Sequence, residues 1–354
     1  NRNNILAMAW QQTRPLHESP SAERALAATA YDGERLVADE VTEVRDSLIG
    51  QRIDHFRIIR LLGEGGMGAV YLAQDTSLER TVAIKVLRRE LASDQRLVER
   101  LILEAQAQAR LQHPNVVTIY YIGSYQGAPY FAMEYVPGGT LAELIQRQGW
   151  LPWGEALEYI IQTTRALAAA HAAGMVHRDI KPSNLLLGAV PAGEQSNQIK
   201  VADFGVAAPA GSGDGEFVGT PYYAAPEQIA GGAPTFLGDV YALGITFYEL
   251  LTGHVPFHAD NLTAMLQQHR DAPRPEIPAD QAPWRLRHLI REMMDPVASQ
   301  RPASYEDLLA RLESLRPKPR VAGGLVPRAA ALAVDVAITA PASHVLAMVL
   351  GLPS

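Results

Sequence analysis

The stretch Met175-Val-His-Arg-Asp-Ile-Lys-Pro-Ser-Asn-Leu-Leu-Leu187 sets a histidine, an arginine, an aspartate, a lysine and an asparagine between two apolar ends. Asp179 and Asn184, five apart, can face one reacting centre, and Lys181 lies between them as a mobile cation. That is a loop laid out for chemistry and held by its hydrophobic flanks. A second candidate is Lys85, an ammonium inside the apolar run Val82-Ala-Ile-Lys-Val-Leu87. Such a charge is costly unless it is paired or reaches water, so a carboxylate partner is expected nearby. A third is the turn Gly63-Glu-Gly-Gly-Met-Gly68, whose missing Cβ atoms at Gly63, Gly65 and Gly68 let a backbone approach phosphates closely.

These residues need elements to aim them. Phe56–Leu62, Ala69–Ala73 and Thr81–Leu87 alternate as three short strands around the glycine turn. Val70 and Tyr71 continue that alternation after the last glycine, which favours a hairpin over the strand-to-helix turn of dinucleotide-binding folds. From about Asp94 to Leu111, Leu97, Leu101, Glu104, Gln108 and Leu111 form one stripe of a helix, so Glu104 faces inward and is the expected partner of Lys85. Glu99 lies off the stripe and Glu90 precedes the helix. The run His113–Tyr120 starts another strand, and Tyr130–Gly139 is a strand ending in a Pro/Gly breaker. The chain then turns helical, with Glu155–Ala173 stopping at Gly174, Gly238–Gly253 strongly apolar, and Ser304–Leu315 closing the globular part. His171, His254 and His258 have no metal-like constellation and are expected as packed or surface residues.

In order, His177-Arg-Asp-x-x-x-x-Asn184, the glycine turn, Val82-Ala-Ile-Lys85, Asp203-Phe-Gly205 and Ala225-Pro-Glu227 resemble the motifs of bacterial, eukaryotic-like (Hanks-type) serine/threonine protein kinases. The resemblance runs from about Ile53 to Leu315, about three quarters of the chain. It implies an α+β bilobal fold with a small β-rich lobe (53–133), a hinge (134–138) and a larger α-helical lobe (139–316). It implies that ATP and Mg2+ are used to phosphorylate Ser or Thr hydroxyls of proteins in bacterial signalling. Asp179 would position and deprotonate the acceptor hydroxyl, Lys181 would stabilise the transferring phosphoryl group, and Asn184 and Asp203 would hold magnesium. Lys85, aimed by Glu104, would bind the α and β phosphates. Around ATP it places Leu62, Gly63, Glu64, Gly65, Gly66, Met67, Gly68, Ala69, Val70 and Ala83, with Met133 behind the adenine, Glu134 to Val136 as the hinge, and Leu186 below. Lys181, two residues after Asp179, favours Ser/Thr over Tyr acceptors. The resemblance also has Asp239 anchor the His177-Arg178 turn and Arg301 pair with Glu227.

Arg178 lacks an evident partner. Before Thr220, the segment after Asp203 offers one hydroxyl, Ser212, as a phosphorylation site, or Asp214 and Glu216 as standing negative charge; the second is the favoured reading. Gly188–Gln198 reads as a surface insertion between two short strands.

The ends differ in character. Residues 1–52 read as a weakly structured extension with an acidic, solvated face. Residues 317–328 form a basic linker, and 329–354 run apolar, interrupted by Asp335, Pro341 and His344. Roughly 20 apolar residues suffice to cross a bilayer. Arg316, Lys318, Arg320 and Arg328 precede this run, which would leave the catalytic part in the cytoplasm. The Arg328 to Asp335 pattern resembles the first helix of RDD membrane domains.

Composition excludes other classes. A formal charge of −7 argues against a general nucleic-acid binder, which would need clustered cations. Without cysteine, disulfides, thiolate metal sites and a cysteine nucleophile are ruled out. No secretory signal is visible at the front. A nucleotide-binding scaffold without transfer would lack Lys85, Asp179 or Asp203, and all three are present. A small-molecule phosphotransferase of related fold is disfavoured by Ala225-Pro-Glu227 and the Thr220 loop, which suit a protein substrate. Partners are therefore expected to be proteins with Ser or Thr acceptors, a membrane through 329–354, and a second copy for autophosphorylation.

Overall fold

A computed structural model describes residues 48–190, 197–204, 221–259 and 261–317. The expected extension up to residue 47, the segment with Ser212, Asp214, Glu216 and Thr220, and the apolar tail with its RDD-like pattern lie outside the described residues.

The first lobe is a six-stranded antiparallel sheet in the order β1-β2-β3-β4-β6-β5, built from Arg52–Ile53 (β1), Phe56–Gly65 (β2), Gly68–Asp75 (β3), Arg80–Leu87 (β4), Ile119–Tyr125 (β5) and Ala128–Glu134 (β6). The glycine stretch is a hairpin, as its alternation predicts: Gly65 pairs with Gly68 and Glu64 with Ala69, so the ladder runs to the turn itself. Gly68 has φ +155 and a Cβ there would lie 2.0 Å from the Val86 carbonyl oxygen, so this glycine is required by the sheet. Gly63, Gly65 and Gly66 face open space and are not required by packing. The sheet begins earlier than its alternation suggests, with Arg52 and Ile53 pairing with Arg57 and Phe56, and Leu48 packs against the core of Ile53, Phe56, Ile58 and Tyr130.

Two helices follow β4, Arg89–Ala92 (α1) and Gln95–Arg110 (α2). Asp94 caps α2 by accepting from the Arg96 and Leu97 amides, which satisfies N–H groups that the first turn leaves free. Of the predicted stripe, Leu101 and Gln108 are buried and Leu101 packs with Leu87, Ala105 and Phe131, fixing α2 to the sheet.

The second lobe holds Leu141–Gln148 (α3), Trp153–Ala172 (α4), the two-stranded ladder Leu185–Leu187 (β7) and Ile199–Val201 (β8), Pro226–Ile229 (α5), Phe236–Thr252 (α6), Leu262–Asp271 (α7), Trp284–Met293 (α8) and Tyr305–Ser314 (α9). Helix α3 carries a capping box between Thr140 and Glu143, a start signal that its sequence contains. Helix α6 is apolar all round because it runs through the centre of this lobe, and it stops at Gly253 in the left-handed conformation. His171, His254 and His258 are exposed, as expected.

His269 on α7 differs from those three. It is fully buried, shares a 2.7 Å hydrogen bond with the Tyr241 hydroxyl of α6, and burial pushes its imidazole from 6.5 down to about 3. Below the higher value the unfolded chain takes up a proton that the folded chain refuses. Stability from this group therefore falls with falling pH through that window, by about 1.4 kcal/mol per pH unit. The difference in unfolding free energy between wild type and His269→Gln is expected to shrink steadily as pH is lowered from about 7 to about 4.5. A difference that does not change with pH would contradict this role.

Candidate active site

The loop after α4 is held by its neighbours before it does anything. Both oxygens of Asp239 on α6 accept backbone amides, from His177 and Arg178, each at 2.8 Å. Burial pushes the Asp239 carboxyl up, while these N–H groups favour its anion. They also stabilise Arg178 at φ 74, a conformation that non-glycine residues avoid. The buried His177 ring contacts the Ala202 carbonyl through Nε2 at 2.9 Å and lies 4.6 Å from the Phe204 ring, which joins this loop to the segment carrying Asp203.

Asp179, Lys181 and Asn184 come together at this loop. Asp179 Oδ2 is 2.8 Å from Lys181 Nζ and accepts from Asn184 Nδ2 at 3.1 Å, and that amide also donates to the Asp179 carbonyl at 2.7 Å. Committing the Asn184 nitrogen to Asp179 leaves its side-chain oxygen as the atom that can meet a cation. The Ala202 amide donates to the Asn184 carbonyl at 2.9 Å, so Asp203, the next residue, is brought beside Asn184. An amide oxygen and a carboxylate are hard donors, few enough to leave positions for phosphate oxygens and water, and this set fits magnesium.

Lys85 does not pair with Glu104. Its Nζ donates to Asp203 Oδ1 at 2.7 Å. Although burial alone would raise the Asp203 carboxyl, the Lys85 ammonium and its hydrogen bond hold it below the usual range. Glu104 instead accepts from Arg178 Nη1 at 3.0 Å. The physical reason is the rotation of α2 about its axis: Leu101 and Gln108 take the sheet-facing side, and the Gln108 amide donates to the Val117 carbonyl at 3.0 Å. Glu104 is left at the margin of that face, where Arg178 is in reach. Burial raises the Glu104 carboxyl against the opposing charges of Arg178 and Arg100. Among the described residues, Glu104 Oε2 and Arg178 Nε are buried without a hydrogen-bond partner. The arginine that had no evident partner in the sequence thus holds the glutamate that was expected at Lys85.

Above these groups the sheet forms a roof. Gly63, Val70, Lys85 and Phe131 are successive cross-strand neighbours, so the glycine hairpin lies in one row with Lys85. Leu62 falls at the irregularity between Leu61 and Gly63, and Ala69 pairs with Glu64. Glu64 itself is paired with Arg88 at 3.0 Å. Met67 sends its side chain against the cluster of Leu87, Leu101, Ala105 and Phe131, and its carbonyl accepts from the Arg88 amide, so its side chain is turned to the core. Ala83 pairs with Met133, and a cavity of about 20 Å³ behind Met133, between Leu101, Ala105 and Phe204, is too small for more than a water molecule. Leu186 is half-buried below, on β7.

The hinge is tied at both ends. The Glu134 amide donates to the Thr118 carbonyl at 2.9 Å, and its carboxylate meets Lys200 of β8, a residue that no motif marks. Beyond Val136, the Gly138 amide donates to the Leu187 carbonyl and the Leu187 amide returns to the Gly139 carbonyl. Tyr223 donates to Glu249 at 2.7 Å, and burial pushes that carboxyl up to about 7. Arg301 grips both oxygens of Glu227, at 2.6 and 2.9 Å, as the motif implies.

Comparison with known proteins agrees with this geometry. A profile of the protein kinase domain matches residues 56–322. The chain is 42% identical over 233 residues to the serine/threonine-protein kinase PrkC of Bacillus subtilis, covering 64% of this chain and 35% of that protein. It is 36% identical over 284 residues to pkn3 of Myxococcus xanthus, covering 76% of this chain and 52% of that protein. To PknA of Mycobacterium tuberculosis it is 36% identical over 302 residues, covering 80% and 68%. It thus spans about a third to about two thirds of the length of these relatives. The crystal structure of the PknI kinase domain of Mycobacterium tuberculosis superposes with a TM-score of 0.59 at 27% identity, over 75% of this chain and 98% of that one. With its motifs in one cleft, its two-lobed fold and a family match over most of its length, this chain belongs to the protein kinase domain family.

Proposed function

We propose that this chain is a serine/threonine protein kinase that transfers the γ-phosphate of ATP to protein hydroxyls with magnesium. The observation that carries the reading is the meeting of Asp179, Lys181 and Asn184 with the Lys85–Asp203 ion pair at one end of the cleft. Asp179 accepts the proton of an incoming Ser or Thr hydroxyl and orients its oxygen for attack. Lys181, within ion-pair distance of Asp179, places positive charge where the phosphoryl group passes. Asn184 and Asp203 would hold magnesium, which when bound neutralises charge on the phosphate oxygens. Lys85 exchanges Asp203 for phosphate oxygens, and Glu104 leaves Arg178 to support Lys85 in that position. Arg178 is then free for an anion from the segment after Asp203, supplied by Ser212 phosphate or by Asp214 and Glu216. Residues 329–354 with the basic linker before them support attachment to a membrane.

The test is incubation with ATP labelled at the γ position and a generic protein acceptor. Label is expected on Ser and Thr but not on Tyr, and removal of magnesium by a chelator should abolish it. Label that persists without divalent metal, or none under any condition, would count against the reading. Self-association for autophosphorylation predicts that labelling of the chain itself rises faster than its concentration.

A further inference from the structure

Two ion pairs tie the sheet of the first lobe to the segment that carries Asp203. The first, Lys85–Asp203, uses the groups assigned above to nucleotide and metal. The second uses no such group. Lys200 Nζ lies 2.8 Å from both oxygens of Glu134, and the two side chains are only 14% and 24% exposed. Glu134 Oε2 also accepts the Thr118 amide at 3.3 Å, while the Glu134 amide donates to the Thr118 carbonyl at 2.9 Å. One carboxylate therefore fastens the end of β6, the segment before β5, and β8.

The placement of this second tie follows the first. Glu134 pairs across the sheet with Val82, three residues before Lys85 on β4, and Lys200 stands three residues before Asp203. The strand bearing Lys200 is itself fixed. The Ile199 amide donates to Gln162 Oε1, the Val201 amide to the Asn115 carbonyl, and the Val117 amide to the Val201 carbonyl, at 2.8 to 2.9 Å. A tie anchored this firmly on one side transmits position to the other.

We propose that Lys200 and Glu134 are a positioning pair that holds the hinge at a set distance from Asp203 while Lys85 and Asp203 are parted by nucleotide. The adenine end and the phosphate end of ATP are read by these two places, so their spacing decides how well both are engaged together. A surface pair would contribute little, but this one is two-pronged and largely withdrawn from water, so losing one partner leaves a poorly solvated charge. The inference rests on the kinase reading above.

The experiment uses the full chain and measures Mg-ATP affinity by calorimetry together with KM and kcat. Lys200→Met is expected to raise the dissociation constant and KM for ATP about tenfold, with kcat changed less than about twofold. Lys200→Arg, which can keep two contacts to the carboxylate, should recover most of the loss. The double variant Lys200→Met with Glu134→Gln should be no worse than Lys200→Met alone, because the pair is shared. Affinity and KM within about twofold of wild type in Lys200→Met would overturn the proposal. So would additive losses in the double variant, or an equal loss in Lys200→Arg. If Lys200→Met fails to fold, the double variant and Lys200→Arg carry the same comparison. A wild type that binds Mg-ATP but transfers no phosphate would refute the kinase reading, while the affinity measurements would still decide the role of the pair.

Discussion

Asp179→Asn is expected to lower kcat about a thousandfold, within the range for loss of a positioned proton acceptor, while KM for ATP changes little. The substitution preserves side-chain shape but removes the group that takes the hydroxyl proton. It also removes the negative partner of Lys181, 2.8 Å away, while the asparagine carbonyl can still accept from the Asn184 amide. The nucleotide contacts assigned to Lys85, Asp203 and the hinge are untouched, which is why affinity for ATP should survive. Phosphate incorporation into a protein acceptor, measured for both proteins at saturating ATP, decides the matter. Equal incorporation would remove Asp179 from the mechanism. An unchanged melting temperature in the variant would tie the loss to chemistry instead of folding.

Arg301→Ala is expected to cost about 3–5 kcal/mol of stability, the usual penalty for stripping one partner from a buried charge pair. For a lobe pair of this size, that corresponds to a drop in melting temperature on the order of 10 °C. The Arg301 side chain is fully buried, and its guanidinium donates to both Glu227 oxygens and to the carbonyls of Leu237, Asp295 and Pro296. Its charge also lies 4.8 Å from the Tyr241 ring. Alanine would leave the Glu227 carboxylate and three carbonyls without their donor. Arg301→Lys should recover little, since an ammonium cannot reproduce the fork that reaches so many acceptors. Thermal unfolding of the three proteins would show this, and a shift under about 2 °C for Arg301→Ala would mean that the link is dispensable.

Much of the molecule was legible in the chain because it depends on short-range rules. Period-two alternation located the strands of the glycine hairpin, and glycine at the end of α6 marked its stop. The loop from His177 to Asn184 carries its chemistry within eight residues, so spacing alone could show that Asp179, Lys181 and Asn184 meet. Family motifs extended that reach to Asp239 under the loop and to Arg301 on Glu227, contacts between residues more than sixty apart.

The partner of Lys85 could not be settled that way. A helical stripe specifies which residues lean toward the sheet, but it leaves the rotation of the helix loose by a fraction of a turn. Glu104 pairs with Arg178, and burial of Leu101 with the Gln108 hydrogen bond to Val117 sets the face that the helix turns inward. Lys200 with Glu134 and Tyr241 with His269 left no trace in the sequence for a related reason: each pair joins elements whose proximity follows from the packing of the whole fold. The sequence by itself thus determined which groups do the chemistry and that they share a cleft. Tertiary structure alone decided which charges neutralise one another, because ion pairing depends on ångström distances between elements that no local pattern encodes.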